Sequence, residues 1–140
     1  MTTAQMPSIS LAGVVMRAVA TTAEASALNA QTEFTFDQIG DIFSARYRGG
    51  PIVDGYLIGK ILPGDLIGFR YVQADKDGRL DAGVSTGVIS RLPDGRLRLT
   101  EDFQWTTRPG SGQNIFEEAV HGQLATSRDR LAADHATRAC

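Results

Sequence analysis

The clearest pattern in the chain is an unbroken alternation of apolar and polar residues that runs from Leu97 to Trp105. A period of two predicts a β-strand with one buried and one solvent-facing side. The mostly apolar side carries Leu97, Leu99, Glu101, Phe103 and Trp105, and the other side carries Arg98, Thr100, Asp102 and Gln104. The side expected to be buried therefore includes a single carboxylate, that of Glu101.

Segments of the same kind, separated by turn residues, follow one another through the middle of the chain. The predicted strands cover residues 32–36, 42–48, 52–62, 66–74, 80–92, 97–105 and 114–120. Pro93-Asp94-Gly95 is a strong hairpin signal between two of them. Gly83 and Gly87 are predicted to mark bulges or bends within the long segment 80–92.

About seven or eight short strands with tight turns are typical of an all-β sandwich or barrel. Because no crossover helix separates the strands, neighbours are expected to pair antiparallel as a meander. Closure of the sheet would remove its exposed edges. We therefore predict a small lipocalin-like β-barrel of about eight strands, whose interior has room for packed side chains or one small ligand.

The two ends of the chain lack this regular pattern. Residues 1–30 are predicted to form an N-terminal arm or cap, partly disordered, outside the main sheet. Within it, residues 13–16 favour a strand, whereas residues 17–30 suit a helix, with a short helix favoured at 23–28. Residues 31–120 are predicted to be the barrel domain, and residues 121–140 a polar tail that is either mobile or briefly helical.

Composition and charge exclude several classes of partner. The 140 residues carry a formal net charge of −2, which argues against broad nucleic-acid binding because that requires a basic surface. No apolar run approaches the roughly 20 residues needed to span a bilayer, and no signal peptide is recognised. Cys140 is the only cysteine, so no internal disulfide forms. We expect a cytoplasmic protein without a membrane partner, for which a homodimer remains possible.

Motifs for metals, nucleotides and hydrolysis are missing from the sequence. The only two histidines, His121 and His135, lie near or in the tail, and no cluster has the spacing of metal ligands. No Gly-rich phosphate loop precedes a helix. Gly110-Ser111-Gly112 lacks the strand–turn–helix context of a nucleophile elbow. We therefore expect no metal and no cofactor.

Glu101 and Tyr71 are the candidate catalytic residues. A carboxyl among apolar groups has a raised pKa and could act as an acid or a base near neutral pH. The simpler interpretation is that Glu101 pairs with an internal Arg, or that a bulge turns it outward. Tyr71 shares the larger apolar face of its strand with Phe69, and its phenol could polarise a carbonyl, although it could equally reach the rim of a barrel.

The candidate ligand-binding residues are two arginines and a set of aromatic side chains. Arg46 and Arg70 could hold a carboxylate or pair with Glu101, but the larger apolar faces of their strands belong to Tyr47 and Tyr71. Aromatic walls suit a flat or polycyclic ligand, yet barrel cores use the same residues. The aromatic candidates are Phe43, Tyr47, Tyr56, Phe69, Phe103 and Trp105.

Several short segments also carry a family resemblance. They are Phe34-Thr35-Phe36, Gly40-Asp41-Ile42-Phe43-Ser44-Ala45-Arg46-Tyr47, Gly49-Gly50, Leu57-Ile58-Gly59-Lys60, Arg70-Tyr71-Val72-Gln73, Leu92-Pro93-Asp94-Gly95-Arg96-Leu97, and Glu101 with Trp105. Over roughly residues 31–120 the chain resembles small bacterial β-rich proteins commonly labelled "n-acetylglutamate synthase". The resemblance supports the meander and implies no catalytic residue. The chain has no strand, Gly-rich loop and helix in succession, as an acetyltransferase would need.

Three functions follow from these patterns. The leading hypothesis is a cofactor-independent isomerase or cyclase that folds a hydrophobic metabolite inside the barrel, with Glu101 and Tyr71 supplying proton transfer or hydrogen bonds. The first alternative is a non-catalytic binding or carrier protein for the same kind of ligand. The second alternative is a structural or interaction protein whose barrel is filled by its own side chains.

Overall fold

A computed structural model describes residues 9–22 and 26–120 of the chain, and these residues form β-strands without any helix. The eight strands are β1 (Val15–Thr21), β2 (Glu33–Ile39), β3 (Ile42–Gly49), β4 (Ile52–Leu62), β5 (Leu66–Asp75), β6 (Leu80–Arg91), β7 (Leu97–Trp105) and β8 (Ser111–Glu118). The all-β prediction is confirmed, and the predicted bounds of β4 and β7 agree with those observed.

Each strand pairs antiparallel with its neighbours in sequence, and β1 pairs with β8 to close the barrel. Tight turns set this order. Ile39 pairs with Ile42 across a two-residue turn, in which Gly40 has a φ of 62°. A two-residue hairpin with the primed twist needs such a positive φ, which glycine adopts without a steric cost. The predicted closed meander is therefore confirmed.

The first strand corrects the prediction for the N-terminal segment. Residues 15–21 were expected to lie in an arm outside the sheet, but they form β1, which pairs with both β2 and β8. The Ala-rich composition suggested a helix, whereas closure requires a strand here because β2 and β8 would otherwise keep unpaired edges. Of the helix predicted at 23–28, residues 23–25 lie outside the described residues and residues 26–28 are not helical. The predicted tail, residues 121–140, also lies outside them.

Two glycines of β6 are not the bulges that were one of their two predicted roles. Gly83 and Gly87 pair in regular register with β5 and β7, and neither marks a bulge. The irregular positions lie instead in β1, β3 and β4. Gly83 pairs with Tyr71, and a Cβ atom at Gly83 would collide with the Tyr71 hydroxyl. This glycine therefore makes room for an aromatic ring inside the barrel.

One end of the barrel is filled by apolar side chains, and we call it the plugged end. The turns between β2 and β3, β4 and β5, and β6 and β7 lie there. Leu11 precedes β1, is fully buried in the core, and donates its backbone N–H to the Gln38 side chain at a distance of 2.8 Å. Ile9 joins the same core. The buried strand residues at this end include Met16, Phe43, Ile61, Ile67, Ile89, Leu97 and Leu99.

No helix among the described residues is long and apolar enough to cross a membrane.

Candidate functional site

The opposite end of the barrel, which we call the cavity end, contains a cavity of about 30 Å³. This volume holds roughly two water-sized groups. The cavity is lined mainly by aromatic and apolar side chains, with three further polar side chains from the strands, those of Gln73, Glu101 and Asn114. The lining residues are Ser26, Ala27, Leu28, Phe34, Phe36, Tyr47, Leu57, Phe69, Tyr71, Gln73, Leu99, Glu101, Phe103, Trp105, Asn114 and Phe116.

Glu101 lies at the centre of this site because the alternation of β7 points it into the barrel. It is 4% exposed. Ser85 Oγ donates to Glu101 Oε2 at 2.5 Å, and Asn114 Nδ2 donates to Glu101 Oε1 at 3.0 Å. These two donors come from the neighbouring strands β6 and β8. The predicted alternatives, an internal Arg partner or an outward bulge, are not what the described residues show.

Burial is the main influence on the pKa of the Glu101 carboxyl. Removal from water raises the pKa of its carboxyl above the usual range, and the hydrogen bonds from Ser85 and Asn114 oppose that shift only in part. Burial also raises the pKa values of Tyr47 and Tyr71, and the nearby charge of Glu101 adds to both shifts. Both phenols therefore keep their protons under ordinary conditions, and the site holds a carboxyl that titrates more easily than they do.

Two buried polar atoms of residues that line the cavity have no hydrogen-bond partner among the described residues. They are the hydroxyl oxygen of Tyr71 and Oδ1 of Asn114. Buried polar groups in folded proteins are nearly always hydrogen-bonded, since an unpaired group costs about 1–3 kcal/mol. By contrast, the hydroxyl of Tyr47 donates to Gln73 Oε1 at 2.9 Å. The cavity thus contains both hydrogen-bonded polar groups and two polar atoms without a partner among the described residues.

A polar cluster forms the rim near the β7–β8 turn. The hydroxyl of Thr107 donates to Asp81 Oδ1 at 2.7 Å, and Arg108 Nε lies 3.4 Å from Asp81 Oδ2. The Arg108 guanidinium also lies 4.2 Å from the centre of the Trp105 ring. A cation over an indole face is attracted by the ring quadrupole. These contacts hold Trp105 in place at the mouth of the cavity.

The structure brings six of the predicted site residues together at the cavity. Glu101, Tyr71, Tyr47, Phe69, Phe103 and Trp105 all line it. Phe43 faces inward but is fully buried at the plugged end, against the rings of Phe36 and Phe69. It therefore packs in the core and does not line the cavity.

The other three predicted site residues lie on the outer surface of the barrel. Tyr56 is 46% exposed, and Arg70 is exposed. Arg46 forms an exposed ion pair with Asp54 at 3.0 Å. They do not line the cavity, because the inward positions of their strands belong to Tyr47, Leu57 and Tyr71.

Several cavity residues were missed by sequence reasoning. Asn114 stands at an inward position of β8, in a stretch where polar and apolar residues do not alternate clearly. Ser85 lies between two inward-facing glycines of β6, so no apolar pattern in the sequence marked it as an inward residue either. Gln73 was placed on the correct face of β5 but was not recognised as a site residue. The pairing of neighbouring strands is the information that would have found them, since Glu101 pairs with Asn114 and Phe103 pairs with Ser85.

No group of histidine, cysteine and acidic side chains within residues 9–22 and 26–120 could hold a metal ion. The buried acids of the cavity end are Glu101 and Asp81, and Asp81 faces Arg108. The cavity can offer a ligand hydrogen bonds, apolar contacts and proton exchange at the Glu101 carboxyl.

The architecture belongs to the closed up-and-down barrels of eight strands, a class in which some members hold one small ligand in the interior. A sequence model for the family described as "Avidin-like protein" matches residues 9–119. The chain belongs to this avidin-like family. The match includes β1, which the resemblance to proteins labelled "n-acetylglutamate synthase" left out. Searches of the curated proteins and of the solved structures gave no significant match.

Proposed function

We propose that this protein binds a small molecule at the cavity end of the barrel and acts as a non-catalytic binding or carrier protein. The observation that carries the proposal is the pair of buried polar atoms without partners, Tyr71 Oη and Asn114 Oδ1, on the wall of an aromatic-lined cavity. A ligand that pairs with them would form hydrogen bonds that the protein's own described groups do not supply. Membership of the avidin-like family supports the same function.

The size of the cavity limits what can bind without rearrangement. A volume of about 30 Å³ accepts a small polar head group, whereas typical ligand pockets measure about 300–1,000 Å³. A larger ligand must therefore displace side chains at the mouth. Ala27 and Leu28 line the cavity there and are only half-buried against the core. The ligand expected is a compact molecule whose polar end enters first.

The single tryptophan gives a direct binding assay. Trp105 is the only tryptophan of the chain and it lines the cavity, so its fluorescence should change when the cavity fills. The panel contains benzylamine, benzyl alcohol, benzoate, indole and biotin, the last because streptavidin, also a small barrel, binds it. The proposal predicts a saturable change with one site per chain for at least one compound. A panel without any saturable change, in fluorescence and in calorimetry, contradicts it.

A matched pair of tyrosine variants locates the binding. Tyr71→Phe removes the unpaired hydroxyl from the cavity, and Tyr56→Phe removes a hydroxyl from the outer surface. Tyr71→Phe should leave the stability of the ligand-free protein unchanged or higher, and should weaken binding about 3-fold to 10-fold, the value of one hydrogen bond. Tyr56→Phe should alter neither the stability of the protein nor its affinity for the ligand. Equal affinities for the two variants would show that the ligand does not use the Tyr71 hydroxyl.

A cofactor-independent isomerase or cyclase is the second candidate function. The observation that favours it is the enclosed carboxyl of Glu101, whose pKa is raised, in the same cavity as the phenol of Tyr71. Such a pair suits general acid–base catalysis. Any compound that binds should therefore be tested for turnover, with Glu101→Gln as the control. Conversion that is lost in Glu101→Gln while binding persists supports the enzyme; binding without conversion supports the carrier.

A further inference from the structure

We infer that the ligand of the cavity is an organic cation, an ammonium or amidinium group carried on a small apolar body. This inference rests on the proposed function and names the class of ligand that the same site would take. Its basis is the position of the Glu101 carboxyl, which lies inside an aromatic-lined cavity with two neutral hydrogen-bond donors and no cationic side chain among the lining residues.

The hydrogen-bonding groups left over in the cavity are mostly acceptors. Both oxygens of Glu101 accept one hydrogen bond each and have a further lone pair. Asn114 Oδ1 can only accept, and the Tyr71 hydroxyl can accept or donate. A ligand group with several N–H donors matches this set. A ligand carboxylate would instead meet two acceptors and a like charge.

The walls of the cavity also favour a cation. Tyr71 contacts Trp105 edge to face with ring centres 5.4 Å apart, and Phe103 contacts Trp105 at 5.9 Å. The faces of such rings attract cations, and the attraction increases when water is excluded. Trp105 already holds the Arg108 guanidinium over its ring at the rim. Rings of this kind line the cavity together with Glu101.

The groups around Glu101 leave its charge unbalanced. β6 and β8 contribute the neutral Ser85 and Asn114, whereas β3 and β5 contribute the phenols of Tyr47 and Tyr71. The neighbouring Asp102, on the outer face of β7, adds a like charge. At the rim, Asp81 and Arg108 face one another. A buried carboxylate without a cation is costly, so a cationic ligand would supply the missing countercharge.

Three compounds of the same shape test the inference. Benzylamine is a cation at neutral pH, benzyl alcohol is neutral, and benzoate is an anion. Binding is followed by Trp105 fluorescence and by calorimetry. Benzylamine should bind roughly tenfold or more tightly than benzyl alcohol, the difference that a charged hydrogen bond contributes, and benzoate should bind most weakly. The advantage of benzylamine should grow as the pH rises through the titration of Glu101, because the cation favours the carboxylate.

Two adjacent substitutions provide a matched control. Glu101→Gln removes the inward carboxyl and should abolish the preference for benzylamine over benzyl alcohol. Asp102→Asn makes the same chemical change on the outer face and should retain the preference. If Glu101→Gln does not fold, the pH dependence of benzylamine binding by the unchanged protein decides the question, because benzyl alcohol should show no such dependence.

The possible results separate this inference from the proposed function. If benzyl alcohol or benzoate binds as tightly as benzylamine, the inference of a cationic ligand is wrong, although the cavity is still a small-molecule site. A preference for benzylamine that persists in Glu101→Gln also overturns it, because the charge recognised would lie elsewhere. Binding of no compound in the full panel overturns the proposed function itself.

Discussion

The two halves of the barrel interior are built from the same eight strands but differ in what they bury. The plugged end contains apolar side chains, such as Phe43, Ile67 and Leu11, each almost or fully removed from water. The cavity end contains Glu101, Asn114 and Ser85, which are equally buried and polar. The plugged end is thus built for apolar packing, whereas the cavity end buries polar groups, which the proposed function would use to bind a ligand.

The largest expected effect on stability comes from truncating a buried side chain at the plugged end. Phe43→Ala removes a fully buried ring that contacts Phe36 and Phe69, and should lower the free energy of unfolding by about 3–5 kcal/mol. Urea denaturation measures this loss. If Tyr71→Phe, at the cavity end, destabilised the protein as much as Phe43→Ala does, the two halves would not differ in their contribution to stability.

A smaller effect is expected from filling the space beside Tyr71. In Gly83→Ala the new methyl group would collide with the Tyr71 hydroxyl and with the backbone of Gln104, so the ring must shift at a cost of about 1–3 kcal/mol. Ligand affinity should fall as well. Gly68→Ala is the control, since its methyl group would have only Ser85 O near it, at 3.9 Å. Equal stabilities for the two variants, measured by thermal unfolding, would show that Gly83 is not needed for the position of Tyr71.

The pH dependence of stability should reveal the buried carboxyl. The folded pKa of Glu101 is raised, so above the unfolded value of about 4.3 the folded state binds more protons than the unfolded state. The contribution of Glu101 is thus fully present below that pH and is lost as the pH rises through the folded pKa. A tenfold difference between the folded and unfolded acid dissociation constants corresponds to about 1.4 kcal/mol of stability.

Glu101→Gln isolates this contribution. Its free energy of unfolding should decline less with rising pH than that of the unchanged protein, whereas Asp102→Asn should follow the unchanged protein. Denaturant titrations at a series of pH values measure both. Parallel pH profiles for Glu101→Gln and the unchanged protein would mean that the folded pKa of Glu101 is ordinary.

The sequence predicted the fold and part of the site for identifiable reasons. β7 alternates without interruption, so its inward residues, Glu101 among them, were predicted correctly. The outer face of β4 carries Tyr56 and Ile58 as well as charged residues, so its apolar side chains alone did not exclude Tyr56 from the interior. β1 contains Arg17 and an Ala-rich stretch that resembled a helix, and only barrel closure makes it a strand. Asn114 entered the site through its pairing with Glu101, a contact between strands that no local pattern displays.

The most direct test of the account is a crystal structure of the protein grown with the tightest-binding compound of the panel. We expect the compound to lie inside the cavity end, with a polar group within hydrogen-bond distance of Tyr71 Oη or Asn114 Oδ1 and with Trp105 at its side. A compound bound on the outer surface, with the interior side chains unchanged, would contradict the assignment of this cavity as the functional site.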